Sequence, residues 1–266
     1  AARTQCQNNL KQIGLGVHSY HDVNNQLPPA RIAFGRLGWT VLILPYIEQG
    51  PLFQQFSLST TLPSQPSAAL NANLKVYQCQ ARQRNGRVST QFDPSTGQNG
   101  SLGDYATVDG HQNDNGNYRR TTAKGMIIVA RYTNPTTWRS LTNLLSVTDG
   151  TSQTLMIGEK HVTLNRFGLE WDGTLGGDGP ILGSYAYSIM RVAGEQTTGG
   201  TPFPLAKSQT DEAGGNAHFV FGSWHPGICN FVLGDGSVRA LKNDIPNWPL
   251  AQLTTRAAGT VIAYDW

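Results

Sequence analysis

The stretch "SWHPGICNFVLGDGSVRAL", residues 223 to 241, places His225 ahead of Asp235 with nine residues between them, and Gly236 directly after the aspartate. "CNFVL" and "SVRAL" alternate as strands, and "GDG" between them supplies residues tolerant of positive φ, as a tight hairpin turn demands. Asp235 and Gly236 then belong to the turn, and His225 to the connection leading into the first strand. From there His225 can reach a backbone carbonyl or, across the sheet end, the Asp235 carboxylate. One His and one Asp without a third partner make neither a catalytic triad nor a closed metal site, so structural hydrogen bonding is the first reading, with ligand contact and catalysis as alternatives.

Working outward, short strand-like runs precede this hairpin: "DYATVDG", "GMIIVAR", "QTLMIGEKHV", "GSYAYSIMRV" and "AHFVFGSW". Gly and Asp/Asn turns separate them, a pattern that predicts an antiparallel sheet with long loops. "GTLGGDGPILG" and "GEQTTGGTPFP" read as Gly-rich surface insertions. In "VTDGTSQTLMIGEKHV", Asp149 and Gly150 form a turn, and alternation puts Leu155, Ile157, Glu159 and His161 on one face. An acid continuing an apolar face needs a partner. Arg239 is one candidate, and a Glu159/His161/His225 metal cluster is the sharper alternative.

The N-terminus reads as a helix, because Cys6, Leu10, Ile13, Val17 and Tyr20 recur at steps of four and three. Gly14 and Gly16 each cost about 1 kcal/mol relative to Ala, so the segment requires packing against a body. Pro28 and Pro29 are expected to end it. The division is a helix over residues 1 to 22 and a sheet domain over 23 to 266, folded together as one domain. "GWTVLILPYIEQGPLFQQF" predicts core-packing helical turns, and "NLKVYQC" a strand delivering Cys79.

Charged residues make up 14% of the 266, against roughly 25% in ordinary soluble proteins, and the net charge is +3. The basic residues are scattered, and the densest patch, "QARQRNGR", is short and loop-like, which argues against a nucleic-acid footprint. No run approaches the ~18 apolar residues of a membrane helix. Cys6, Cys79 and Cys229 have no C-x-x-C spacing; one disulfide with a spare thiol fits an exported protein, three thiols a cytosolic one.

"HQNDNGNY", residues 111 to 118, has Asn113, Asn115 and Gly116 at calcium-loop offsets, but His111 and Thr122 stand where Asp and Glu are required. Calcium held by Asp109 and Asp114 in another geometry is the remaining option, and no other cofactor is expected. The elbow, zinc-helix, phosphate-loop and dinucleotide signatures are absent, which weakens the case for an enzyme. Glu170, Asp172 and Asp178 are the carboxylates available for glycoside hydrolysis. Trp39, Trp171, Trp224 and Trp248 are candidates for a stacking surface, with Trp171 and Trp224 the pair for a ligand pocket.

Assembled, these segments resemble the type IV pilin-like and type II secretion pseudopilin-like proteins that carry an H-x9-DG motif. The resemblance rests on "RTQCQNNLKQIGLGVHSYHDVNNQLPPA", "GWTVLILPYIEQGPLFQQF", "VYQC", "TDGTSQTLMIGEKH" and "HPGICNFVLGDGSVRAL", in that order along the chain. It implies an α+β, pilin-like fold: a long N-terminal helix on an antiparallel sheet, without enzymatic activity. It further implies a Cys6–Cys79 disulfide with Cys229 free, and structural roles for His225, Asp235, Gly236, Asp149, Gly150 and Glu159. Leu10, Ile13, Val17 and Tyr20 would hold the helix to its own sheet. The implied partners are other copies or other pilin-like subunits and the secretion or pilus assembly machinery, at the cell surface, in the periplasm or outside the cell. Membrane contact would run only through an apolar helix half preceding residue 1. An exported glycan- or solute-binding module is the alternative, and a metal-dependent hydrolase the third.

Overall fold

The computed structural model describes residues 1–84, 87–89, 99–111, 120–169, 177–194 and 202–259. In chain order, its helices and strands are α1 (Ala2–Asn24), α2 (Trp39–Leu42), α3 (Gly50–Phe53), α4 (Ser67–Leu70), β1 (Tyr105–Val108), β2 (Arg131–Asn134) and β3 (Thr137–Arg139). There follow β4 (Leu155–Glu159), α5 (Ala186–Ile189), β5 (Met190–Arg191), β6 (Ile228–Leu233), β7 (Val238–Lys242) and α6 (Asn247–Leu253). The architecture is α+β. Five strands form the main sheet in the order β5-β1-β4-β6-β7, and β2 and β3 form a separate hairpin.

The sheet is mixed rather than purely antiparallel, because β5 runs parallel to β1 at its edge. Both faces are covered. Leu10, Ile13 and Val17 of α1 bury against Tyr105, Ile157 and Val232 on one face. On the other, Ala106, Val108, Phe231 and Leu233 meet Leu250 and Leu253 of α6. Strand alternation explains the division, since Val232 turns towards α1 while its neighbours Phe231 and Leu233 turn away. The two helix glycines set the approach of α1: a Cβ on Gly14 would lie 2.7 Å from Val232 Cγ2, and one on Gly16 would lie 2.6 Å from Ile47 Cγ2. Their cost in helix propensity is offset by this close packing.

Helix α1 ends two residues later than expected and by a different device. Asn25 takes a left-handed conformation at φ 56° and donates its backbone N–H to the His21 carbonyl, closing the helix before either proline is reached. Other expectations fail for one shared reason. "NLKVYQC" forms a 3₁₀ turn at Lys75–Tyr77, not a strand. "GSYAYSIMRV" holds the single helical turn α5 and only the two-residue strand β5, "AHFVFGSW" contributes only the Lys160–Phe221 bridge, and "GMIIVAR" is irregular until Arg131. In each, short apolar runs signal burial without specifying a strand. Met126 and Ile127, for example, lie in the α1-side core while the Ile128 carbonyl accepts from Ala30 N–H.

The hairpin of β6 and β7 matches its sequence pattern. Gly236 has φ 79°, and Asp235 Oδ1 accepts from Ser237 N–H at 2.8 Å. The expected reach of His225 to Asp235 does not occur, because the two residues sit at opposite ends of β6, and Asp235 is exposed in the turn.

Candidate functional site

Three groups of side chains converge beyond the ends of β1 and β4. The deepest is a network of buried charges. After Cys79 the chain makes a 3₁₀ turn at Gln80–Arg82, and Gln83, left-handed at φ 48°, redirects it. Arg82 and Arg84 thereby point inward. Asp104, just before β1, receives Arg82 Nη1 at 2.7 Å, Arg84 Nε at 2.6 Å and the backbone N–H of Cys79 at 2.6 Å. Arg84 also forms a two-pronged pair with Asp178 at 2.5 and 2.9 Å. Lys160, just after β4, lies 3.3 Å from Asp178 and donates to the Ser188 carbonyl at 3.0 Å. Arg82 also donates to the carbonyls of Lys160 and Gly222.

Burial alone would push the Asp178 carboxyl up, but Arg84 and Lys160 outweigh it and hold it below the usual range. Burial draws Lys160 down to about 8 against the opposing pull of Asp178. The short, loop-like patch "QARQRNGR" thus supplies two of the most deeply buried cations. Asp104, Asp178, Lys160, Arg82 and Arg84 were not recognised together, because nothing local in the sequence links them.

Above this network opens a cavity of about 630 Å³, lined by Arg82, Gln83, Arg87, Phe167, Gln209 and Trp224 among others. The rings of Phe167 and Trp224 lie 5.2 Å apart at 31°, and the guanidinium groups of Arg84 and Arg87 stand 4.8 and 5.8 Å from the Phe167 centroid. Trp224 is fixed by its indole N–H, which donates to the Val162 carbonyl at 3.2 Å. Two non-glycine residues with positive φ, Gln83 and Asn165, stand on the wall. A second cavity of about 410 Å³ adjoins it across Trp224 and Gln209 and is lined by His225. Trp171, with Glu170 and Asp172, lies outside the described residues, as does Asp114. Trp39 is core, its indole N–H donating to the Ile189 carbonyl, and Trp248 is half exposed on α6.

The third group lies between the sheet and α1. Cys6 and Cys79 are joined in a disulfide with Cα atoms 5.2 Å apart. His225 Nε2 stands 3.3 Å from Glu159 Oε1, and each of these atoms is 3.5 Å from Cys79 Sγ. Glu159 Oε2 accepts from both the backbone and the side-chain N–H of Asn230 at 2.8 Å. Arg239 is not the partner of Glu159. Its register opposite Phe231 puts it on the face turned away from α1. Cys229 is buried with its thiol against the Glu159 carbonyl, and burial pushes its pKa well up, so it is a poor nucleophile.

Leu155 and Ile157 do not share a face, because a bulge between them turns Leu155 towards α6 while Ile157 and Glu159 face α1. His161 lies beyond the strand and does not join Glu159 and His225. Its Nε2 instead lies 2.7 Å from the Asp211 carbonyl. Asp149 binds the N–H groups of Ala258 and Gly259 at 2.6 and 2.9 Å, tying down the segment after α6. Gly150, at φ 98°, supplies the carbonyl that receives the Thr154 hydroxyl. Asp109 is buried at the end of β1, its backbone bonded to Arg191 and Gly125.

Burial draws His161 down to about 4, with the Asp211 carbonyl a lesser opposing influence. Between about 4 and 6.5 the unfolded chain therefore holds a proton on this residue that the folded chain lacks. Stability is expected to fall as pH drops through that window. Thermal melts at pH 7 and 4.5 should show a smaller acid loss in His161→Gln than in the unmutated protein; equal losses would assign the effect elsewhere.

The class defined by these features is an α+β domain with a mixed sheet, whose N-terminal helix is fastened by a disulfide to the turn at Gln80–Arg82, beside an aromatic and cationic cavity. Residues 1–247 match the family designated SBP_bac_10 and described as a protein of unknown function (DUF1559), and the chain belongs to that family. No curated protein and no solved structure matches it.

Proposed function

We propose that this protein is a pilin-like structural subunit of an exported, cell-surface filament or pseudopilus. The observation that carries the reading is the two-sidedness of α1. Its inner stripe, Cys6, Leu10, Ile13, Val17 and Tyr20, is buried and covalently fastened, yet Leu15 and Val23 are 52% and 68% exposed on its outer side. Leu15 borders a shallow cleft against Tyr46 and Ile47 that its own domain leaves open. Packing of α1 against the same helix in neighbouring copies would cover Leu15 and Val23. The disulfide fits an oxidising, exported setting.

Shearing the surface of native cells should release the protein in a sedimentable polymer, and Leu15→Asp should abolish that polymer while leaving the melting temperature of the isolated chain unchanged. Recovery of the unmutated protein only as a dispersed monomer would overturn the filament reading.

A second reading, an exported binder of acidic glycans, is favoured by the Trp224–Phe167 cavity. The tilted rings, with Arg82 and Arg87 on the same wall, suit a ring-bearing anion.

A further inference from the structure

The group formed by Cys6, Cys79, Glu159 and His225 is more ordered than a disulfide with accidental neighbours. Four separate elements supply it: α1, the turn before Gln80–Arg82, the end of β4 and the loop before β6. One ligand atom from each lies within 4.8 Å of all the others, and all four residues are buried. Among the described residues, this is where candidate metal ligands gather.

The spacing is that of a tetrahedron. With bonds of about 2.0 Å to nitrogen and oxygen and about 2.3 Å to sulfur, the edges of a tetrahedral zinc site are about 3.3 Å between N and O and about 3.5 Å between S and either. The corresponding separations are 3.3 Å for His225 Nε2 to Glu159 Oε1, and 3.5 Å from Cys79 Sγ to each. One face of the tetrahedron is therefore already set with the disulfide closed. Cys6 Sγ, within 4.8 Å of the other three atoms, has to part from its bonded partner to an S–S edge of about 3.8 Å.

The surroundings also meet the requirements of a metal site. Glu159 Oε2 is held by two N–H donors of Asn230, which leaves Oε1 directed at the cluster. Asn230 is oriented in turn by the Gln7 amide, which donates to its Oδ1 at 3.1 Å. His225 lines the cavity of about 410 Å³, which provides an entry path. Two thiolates and an imidazole select zinc over calcium or magnesium.

We propose that, once a dithiol has reduced the Cys6–Cys79 bond, Cys6, Cys79, Glu159 and His225 close on one zinc ion as a structural site. The junction of α1 with the sheet is then held either as a disulfide or as a metal clasp. In the reduction, the dithiol becomes a disulfide and gives two electrons and two protons to the cysteines; zinc binding then displaces both thiol protons. The two states exclude each other, because the same sulfur atoms form both.

The test is a titration of the whole chain, reduced with excess dithiol and freed of it without oxygen, first with Co²⁺ and then with Zn²⁺. One Co²⁺ per chain should bind with the absorption of a tetrahedral thiolate complex and be displaced by one Zn²⁺, while the oxidised chain binds none. His225→Gln and Glu159→Gln should each weaken binding at least tenfold. Either variant can perturb folding, so X-ray absorption on the unmutated, zinc-loaded protein is the independent readout, expected to show two sulfur and two nitrogen or oxygen neighbours. The proposal is overturned by no uptake after reduction, by uptake indifferent to both substitutions or to oxidation, or by any other neighbour count.

Discussion

Asp104→Ala is expected to cost the fold about 3 to 5 kcal/mol, measured as the shift in urea-denaturation free energy. Asp104 is fully buried, and its two oxygens accept from Arg82, Arg84 and the backbone N–H of Cys79. Removing it leaves two guanidinium groups in the interior with one carboxylate fewer, and neither can neutralise itself by giving up a proton. Asp235→Ala provides the contrast. That carboxylate is exposed and caps one N–H, so its loss should stay below about 1 kcal/mol. A similar cost for both variants would refute the assignment of the buried network as the stabilising unit.

The paired replacement of Cys6 and Cys79 by alanine is expected to cost about 4 kcal/mol relative to the oxidised, unmutated protein. The bond closes a loop of 73 residues, and its removal returns that loop's freedom to the unfolded chain. Because α1 also buries Leu10, Ile13 and Val17, the variant should still fold, with a lower denaturation midpoint. A loss below about 1 kcal/mol would mean that the helix stripe alone holds α1 in place. Unmutated protein treated with dithiol in the absence of metal should lose a similar amount.

Much of the fold was legible because it is periodic. The stripe from Cys6 to Tyr20 reports one buried helix face, and all five residues are buried. "CNFVLGDGSVRAL" reports two strands and their turn, and β6 and β7 form there. Periodicity is a local property and survives without knowledge of the partner. It failed where a run was short, as in "GMIIVAR", because an apolar segment can be buried with its carbonyls and N–H groups bonded outside any strand. It also failed at β4, where a single bulge reversed the face of Leu155 relative to Ile157.

The candidate site was legible in part. His225 and Glu159 stand out in the sequence as polar residues in apolar settings, but strand alternation points to His161 as their neighbour and gives no sign of the cysteines that the fold brings there instead. The sulfur atoms come from residues separated by 73 positions, and Cys79 lies 146 residues from His225. The charge network was missed for the same reason. Arg84 meets Asp178 across 94 residues, and beside Gln83 and Arg87 it reads as one more surface cation.

By itself, then, the sequence determined the long N-terminal helix and the face it buries, the C-terminal hairpin with its turn at Asp235 and Gly236, and the positions of β1 and β4. Only the tertiary structure decided the parallel edge at β5, the inward turn of Arg82 and Arg84, and the meeting of Glu159 and His225 with the disulfide. A hydrophobic period is written within a few consecutive residues. The partner of a buried charge or ligand atom is selected by where distant segments cross, and the desolvation cost that enforces the pairing acts only once they have.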